Sequence, residues 1–161
     1  MKKYKFIFFL ILTITWLGVI YSFSLEPANV SDDTSFGLIT WIVEHFLPFL
    51  EDTMAQLSES QMRFWHNLVR KMAHFTEYAI LGTLSMLTCC QIRSKALWNK
   101  MAGSIFFCMA AASIDETIQL FVDGRAGRIG DVLIDSGGAI VGIGAVLLAV
   151  RLYKHHRENV R

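Results

Sequence analysis

Proline is nearly absent: the 161 residues hold two, at positions 27 and 48. Long stretches therefore run without the residue that breaks a helix. Cysteine is scarce too, with Cys89, Cys90 and Cys108 alone. Two are neighbours at the end of an apolar run and the third sits inside another. That excludes a disulfide framework and reads as buried thiols. Charge is thin at 18%, against about 25% in an ordinary soluble domain, with a net value of +1. No basic surplus exists to imply a nucleic-acid partner. Internal repeats, low-complexity segments and a G-x-S-x-G hydrolase elbow are also missing.

Hydrophobic residues make up 53% of the chain, and the mean hydropathy is +0.42. The apolar residues collect in four runs: 6–23, 72–90, 97–114 and 132–153. Each approaches the ~20 residues that carry an α-helix across about 30 Å of hydrocarbon. Helices of a soluble bundle keep a polar face, and "AIVGIGAVLLAV" has none. The first run exceeds the ~7–15 residues of a signal-peptide core. Despite the small residues of "SFS", it reads as a retained span.

The expected fold is an all-α membrane protein in one domain over residues 1–161. It is a four-transmembrane-helix bundle with spans at about 6–24, 72–91, 97–121 and 131–153. An extra extracytoplasmic, interfacial helical insert at about 36–70 lies between spans 1 and 2. "FGLITWIVEHFLPFL" is too short and polar to span, and suits an interfacial helix. Trp41 and Trp65 suit headgroup depth. Ser58 followed by Gln61 forms a capping-box pattern. A helix beginning there continues through Arg70 into span 2.

With the N-terminus inside, "KKYK", "QIRSKALWNK" and "RLYKHHRENVR" are cytoplasmic. They hold ten of the fifteen Lys and Arg residues. This agrees with the positive-inside rule and places both termini in the cytoplasm. All acids except Glu158 then fall outside or at outer span ends.

Polar residues at those outer ends carry the functional expectation. His74, Glu77, Tyr78 and Leu81 share one helix face, with Arg70 and Lys71 one turn above. Asp115, Glu116 and Gln119 end span 3. "DGRAGRIGD" makes a glycine-containing turn bearing Arg125 and Arg128. Asp131 and Asp135 open span 4 one turn apart, and Gly138 and Gly142 continue their stripe. Ionisable groups at membrane depth are costly unless they face inward and pair, so these three helices should converge on one level. The structural alternative is that His74–Glu77 and Arg125–Asp131 pairs merely hold helices together. The glycines read as small-xxx-small packing.

"KMAHFTEYAILGTL" and "DETIQLFVDGRAGRIGDVLIDSGGAIVG" resemble the two motifs of the VanZ-like family. The first is K-x-x-H-F-x-E-Y, matched by Lys71, His74, Phe75, Glu77 and Tyr78. The second is D-E-x-x-Q-x-F, then R, then D-x-x-x-(N/D)-x-x-G-x-x-x-G. It is matched by Asp115, Glu116, Gln119, Phe121, Arg125, Asp131, Asp135, Gly138 and Gly142. Asp135 stands where Asn is often expected. The resemblance covers about residues 6–152 and implies a small polytopic membrane protein. The family's namesake reduces teicoplanin susceptibility in Gram-positive bacteria.

Two readings follow. In the first, the protein recognises a membrane lipid or lipid-linked cell-wall precursor at the outer leaflet. Arg70, Lys71, Arg125 and Arg128 hold phosphate there, with Tyr78, Gln119 and Asp135 completing the binding set. In the second, it is an intramembrane enzyme on a lipid-linked phosphate. His74 is acid/base or nucleophile and is oriented by Glu77. Asp115, Glu116, Asp131 and Asp135 hold Mg²⁺ or orient water, and Arg125 stabilises phosphoryl charge. No metal is required by the sequence, and a single His without a nearby Cys makes zinc the weaker choice. Transport finds no support in an inverted repeat. Oligomeric state is open.

Overall fold

Pro27 stands between the first two helices. Its ring fixes φ and removes a donor that a first helical turn does not need. The computed structural model describes residues 2–46, 57–92 and 96–159. Among them are five helices and no strand: α1 (Lys2–Ser24), α2 (Ala28–Phe46), α3 (Glu59–Cys90), α4 (Leu97–Gln119) and α5 (Ile129–Asn159).

Three of these are long and apolar enough to cross a membrane: α1, α4 and α5. The expected fourth, α3, does not stand out by that criterion. The reason is chemical. Its apolar half carries His74, Thr76, Glu77, Tyr78, Thr83, Ser85 and Thr88, which dilute its hydropathy. Yet α3 packs against all four other helices, and Tyr78, Ser85 and Thr88 are buried. A helix wrapped by protein need not be apolar all round.

Burial is distributed as in a membrane protein. Asp115, Asp135, Gln119, Ser24 and Ser104 are fully buried beside Tyr78, Ile20, Leu81, Met86 and Ile143. Outside, Phe106, Phe121 and Ile129 are 75%, 86% and 84% exposed. Thirty-two large apolar side chains are exposed in all among the described residues, which suits contact with lipid better than contact with water.

The capping box is formed. The Gln61 amide donates to Ser58 Oγ, and the Ser58 amide donates to Gln61 Oε1 at 2.9 Å. It starts α3, which then runs unbroken to Cys90. The insert expected at about 36–70 falls on two helices. Its first helix, α2, begins at Ala28, because the turn after Pro27 is already helical. Residues 59–70 belong to α3, while residues 47–56 lie outside the described residues. At the C-terminal end, α5 runs on past the expected span to Asn159, through the helix-tolerant "KHHREN".

The axis of the fold is the α3–α5 contact. A Cβ at Gly138 would strike the Phe75 carbonyl oxygen, and one at Gly142 the Ala79 carbonyl oxygen. The glycine stripe thus lets the two backbones touch. Thr83 Oγ1 is 3.2 Å from the Gly142 carbonyl oxygen and 2.9 Å from that of Ala79, donating at this crossing. Three polar contacts fasten α1: Thr13–Thr88 hydroxyls at 3.1 Å, Trp16 Nε1 donating to the Glu77 carbonyl at 2.9 Å, and Tyr21 Oη donating to the Ala111 carbonyl at 3.3 Å.

Candidate functional site

The polar residues of α3, α4 and α5 meet at one end of the bundle, under the turn at 120–128. α4 ends at Gln119, and the chain turns through Gly124 at φ +75°, a value that suits glycine. The Ala28 amide donates to the Asp123 carbonyl at 3.2 Å, which seats the start of α2 on this turn. Phe36 of α2 and His66 of α3 have ring centroids 5.5 Å apart. Together α2, α3, the turn and α5 enclose a cavity of about 270 Å³.

The cavity wall is rich in cations. Arg63, Arg70, Lys71 and Arg128 line it with His66, Asn67 and His74, while Asp131 and Asp135 bring the negative charge. A second cavity of about 150 Å³ is lined by Glu26, Glu77 and Arg125 among others. Arg70 and His74 border both, so they form the partition between them.

Three connections brace the wall. Lys71 Nζ lies 2.9 Å from Asp131 Oδ1, joining α3 to the first turn of α5. Arg70 Nη2 donates to Gln119 Oε1 at 3.4 Å, and Gln119 Nε2 lies 3.3 Å from Glu116 Oε1 and 3.5 Å from Asp115 Oδ2. The Arg128 backbone amide donates to Glu116 Oε2 at 2.7 Å, fixing the end of the turn. Glu116 is thereby a structural acceptor for the loop.

His74 Nδ1 stands 3.5 Å from Glu77 Oε2. The pair lies within α3, so it joins no two helices. Asp131 engages Lys71 through Oδ1. Asp115 and Asp135 are both fully buried. Neither oxygen of Asp135 has a hydrogen-bond partner among the described residues, and Asp115 Oδ1 has none. Ligand atoms of His74, Asp115 and Asp135 lie within 4.8 Å of one another. Tyr78 sits beneath in the apolar core with Ile20 and Leu81, and lines neither cavity.

Sequence reasoning missed Arg63, His66 and Asn67. With Arg70 they follow the i, i+3, i+4, i+7 spacing of one helix face. That face simply continues the His74–Glu77–Tyr78 stripe upward, so the signal was present. Ser24, buried at the end of α1 beside Asp115, has no comparable pattern.

An all-helical membrane bundle with ionisable residues gathered at one end is the class these features define. The VanZ/LLP1 family model matches residues 9–150, and the chain belongs to that family. Neither the curated proteins nor the solved structures gave a match.

Proposed function

We propose that this protein binds the phosphate of an envelope lipid or lipid-linked cell-wall precursor at the outer leaflet of the bacterial cytoplasmic membrane. In this reading α3 is a fourth span, both termini are cytoplasmic, and α2 lies at the outer interface. The observation that carries it is the cavity wall: Arg63, Arg70, Lys71 and Arg128 around about 270 Å³ beside a lipid-compatible surface. Guanidinium groups grip phosphate by paired, charge-assisted hydrogen bonds. A protein that holds such a precursor would alter how a glycopeptide such as teicoplanin reaches it.

Binding to nanodiscs containing a lipid-linked pyrophosphate, compared with neutral-lipid nanodiscs, tests this. Saturable binding should weaken at least tenfold in Arg70→Ala and Arg128→Ala. Equal binding to both nanodiscs, or no change in either variant, removes the phosphate reading.

A second reading, an intramembrane enzyme on the same lipid phosphate, is favoured by one arrangement. His74 and Glu77 stand together beside two buried acids, which suits proton transfer. Turnover of the lipid phosphate that disappears in His74→Gln would select it over binding alone.

A further inference from the structure

We infer that His74, Asp115 and Asp135 form a binding site for one first-row divalent transition cation, with Zn²⁺ as its natural probe. This goes beyond phosphate binding by naming an ion held by two residues of the same cavity wall, His74 and Asp135, together with the buried Asp115.

The argument begins with Asp135. Its side chain is completely buried, it borders the cavity, and neither oxygen accepts a hydrogen bond among the described residues. A buried carboxylate without a partner is costly. The charged groups acting on it are Asp115, Glu116, Asp131 and Glu77, all acids. The nearby cation Lys71 is engaged by Asp131. Arg125 and Arg70 act on its neighbours Asp115, Glu116 and His74, while Asp135 itself accepts no hydrogen bond among the described residues.

The geometry admits one. Ligand atoms from the three side chains lie within 4.8 Å of one another. A central ion is then at most about 2.8 Å from each, and shifts of under about 1 Å reach the ~2.0–2.2 Å of Zn–N and Zn–O bonds. Two carboxylates and a neutral imidazole balance a divalent charge. Three protein ligands leave a coordination position open toward the cavity. Glu77 stands where support is usual: a ligating imidazole commonly donates its other N–H to a carboxylate, and Glu77 Oε2 is 3.5 Å from His74 Nδ1, within a small shift of a hydrogen bond that is not made here.

The donor set also selects the metal. Imidazole favours zinc and its neighbours, whereas Mg²⁺ prefers an all-oxygen octahedron and keeps its waters. The sequence-level Mg²⁺ set of Asp115, Glu116, Asp131 and Asp135 is disfavoured because Glu116 serves the Arg128 amide and Asp131 serves Lys71.

The test uses the full chain, purified in neutral-lipid nanodiscs and stripped with chelator. Titration with Zn²⁺, then with Mn²⁺, is read by bound-metal analysis and thermal unfolding. One ion per chain is expected, with a rise in Tm because the ion binds the folded state. Asp135→Asn and His74→Gln, close to isosteric, should lose the ion while keeping the metal-free Tm of wild type. Glu77→Gln should bind about 10–100-fold more weakly. Thr76→Ala, on the exposed side of α3, should bind as wild type does. The site is overturned if no stoichiometric Zn²⁺ or Mn²⁺ binds, or if binding survives Asp135→Asn. Mg²⁺ binding indifferent to His74→Gln also overturns it. No lipid-linked pyrophosphate is present in this assay. Failure of the ion therefore leaves the phosphate reading standing, and failure of phosphate binding leaves the ion.

Discussion

Lys71 and Asp131 join α3 to the start of α5, Nζ to Oδ1, at 2.9 Å. The lysine is 43% exposed and the aspartate 15%. The pair is therefore partly screened, and its worth should be that of a surface bridge. A double-mutant cycle with Lys71→Ala and Asp131→Asn, read by unfolding of the purified protein, should give a coupling of about 0.2–1 kcal/mol. A value near the ~3–5 kcal/mol of a broken buried pair would show that this end of the bundle is sealed from water.

The α3–α5 crossing should be far less forgiving. Gly138→Ala and Gly142→Ala each place a methyl group on a backbone carbonyl of α3, which cannot rotate away. Overpacking of this kind costs about 1–3 kcal/mol, seen as a lower Tm and reduced membrane abundance. Gly144→Ala meets open space in the same helix and should be neutral or slightly stabilising. Equal effects at positions 142 and 144 would contradict the crossing.

Much of this architecture is visible in the chain itself. The capping box at Ser58 and Gln61 announces the start of α3, because its two hydrogen bonds are local. The Gly138 and Gly142 stripe announces a close helix contact, but not that Phe75 and Ala79 are what it touches. Which cation meets which acid is not legible: nothing in the spacing of Lys71 and Asp131 announces that they meet across the bundle. Nor does α3 declare itself as a span. Most polar residues of its apolar half, though not Thr76, are at least partly buried, and a hydropathy average cannot separate a face from its reverse. The orphaned oxygens of Asp135 appear only when the packing is known.

Orientation is open to direct labelling. With both termini cytoplasmic, Ser58→Cys should react with an impermeant thiol reagent from outside, and Ala96→Cys only after the membrane is opened. The background is a variant in which Cys89, Cys90 and Cys108 are replaced by Ser or Ala. The asymmetry of Lys and Arg between the two sides underlies this expectation. The opposite labelling pattern would place the cation-lined cavity on the cytoplasmic face and end the outer-leaflet reading.

The sharpest contrast concerns His74 and Glu77. If the pair were structural, its removal should destabilise the protein, since a broken buried ion pair costs about 3–5 kcal/mol. The geometry argues otherwise. Both residues lie on α3, three apart, at 3.5 Å, so the contact fastens no helix to another. The joints that do so lie elsewhere, at Trp16 with the Glu77 backbone carbonyl, at Lys71 with Asp131, and at the α3–α5 glycines. His74→Gln and Glu77→Gln keep most of the volume and hydrogen-bonding capacity. Each should therefore leave abundance unchanged and the metal-free unfolding free energy within about 1 kcal/mol of wild type, short of the larger losses that come with a cavity, strain or a lost cap. Each should nonetheless abolish the envelope phenotype, measured as teicoplanin susceptibility in a strain that depends on the protein. Loss of the protein itself in both variants would return the pair to a structural role. Stable variants with full phenotype would remove it from the site altogether. If His74→Gln retains the phenotype while Arg125→Ala loses it, charge recognition by the arginines outweighs proton transfer by the imidazole.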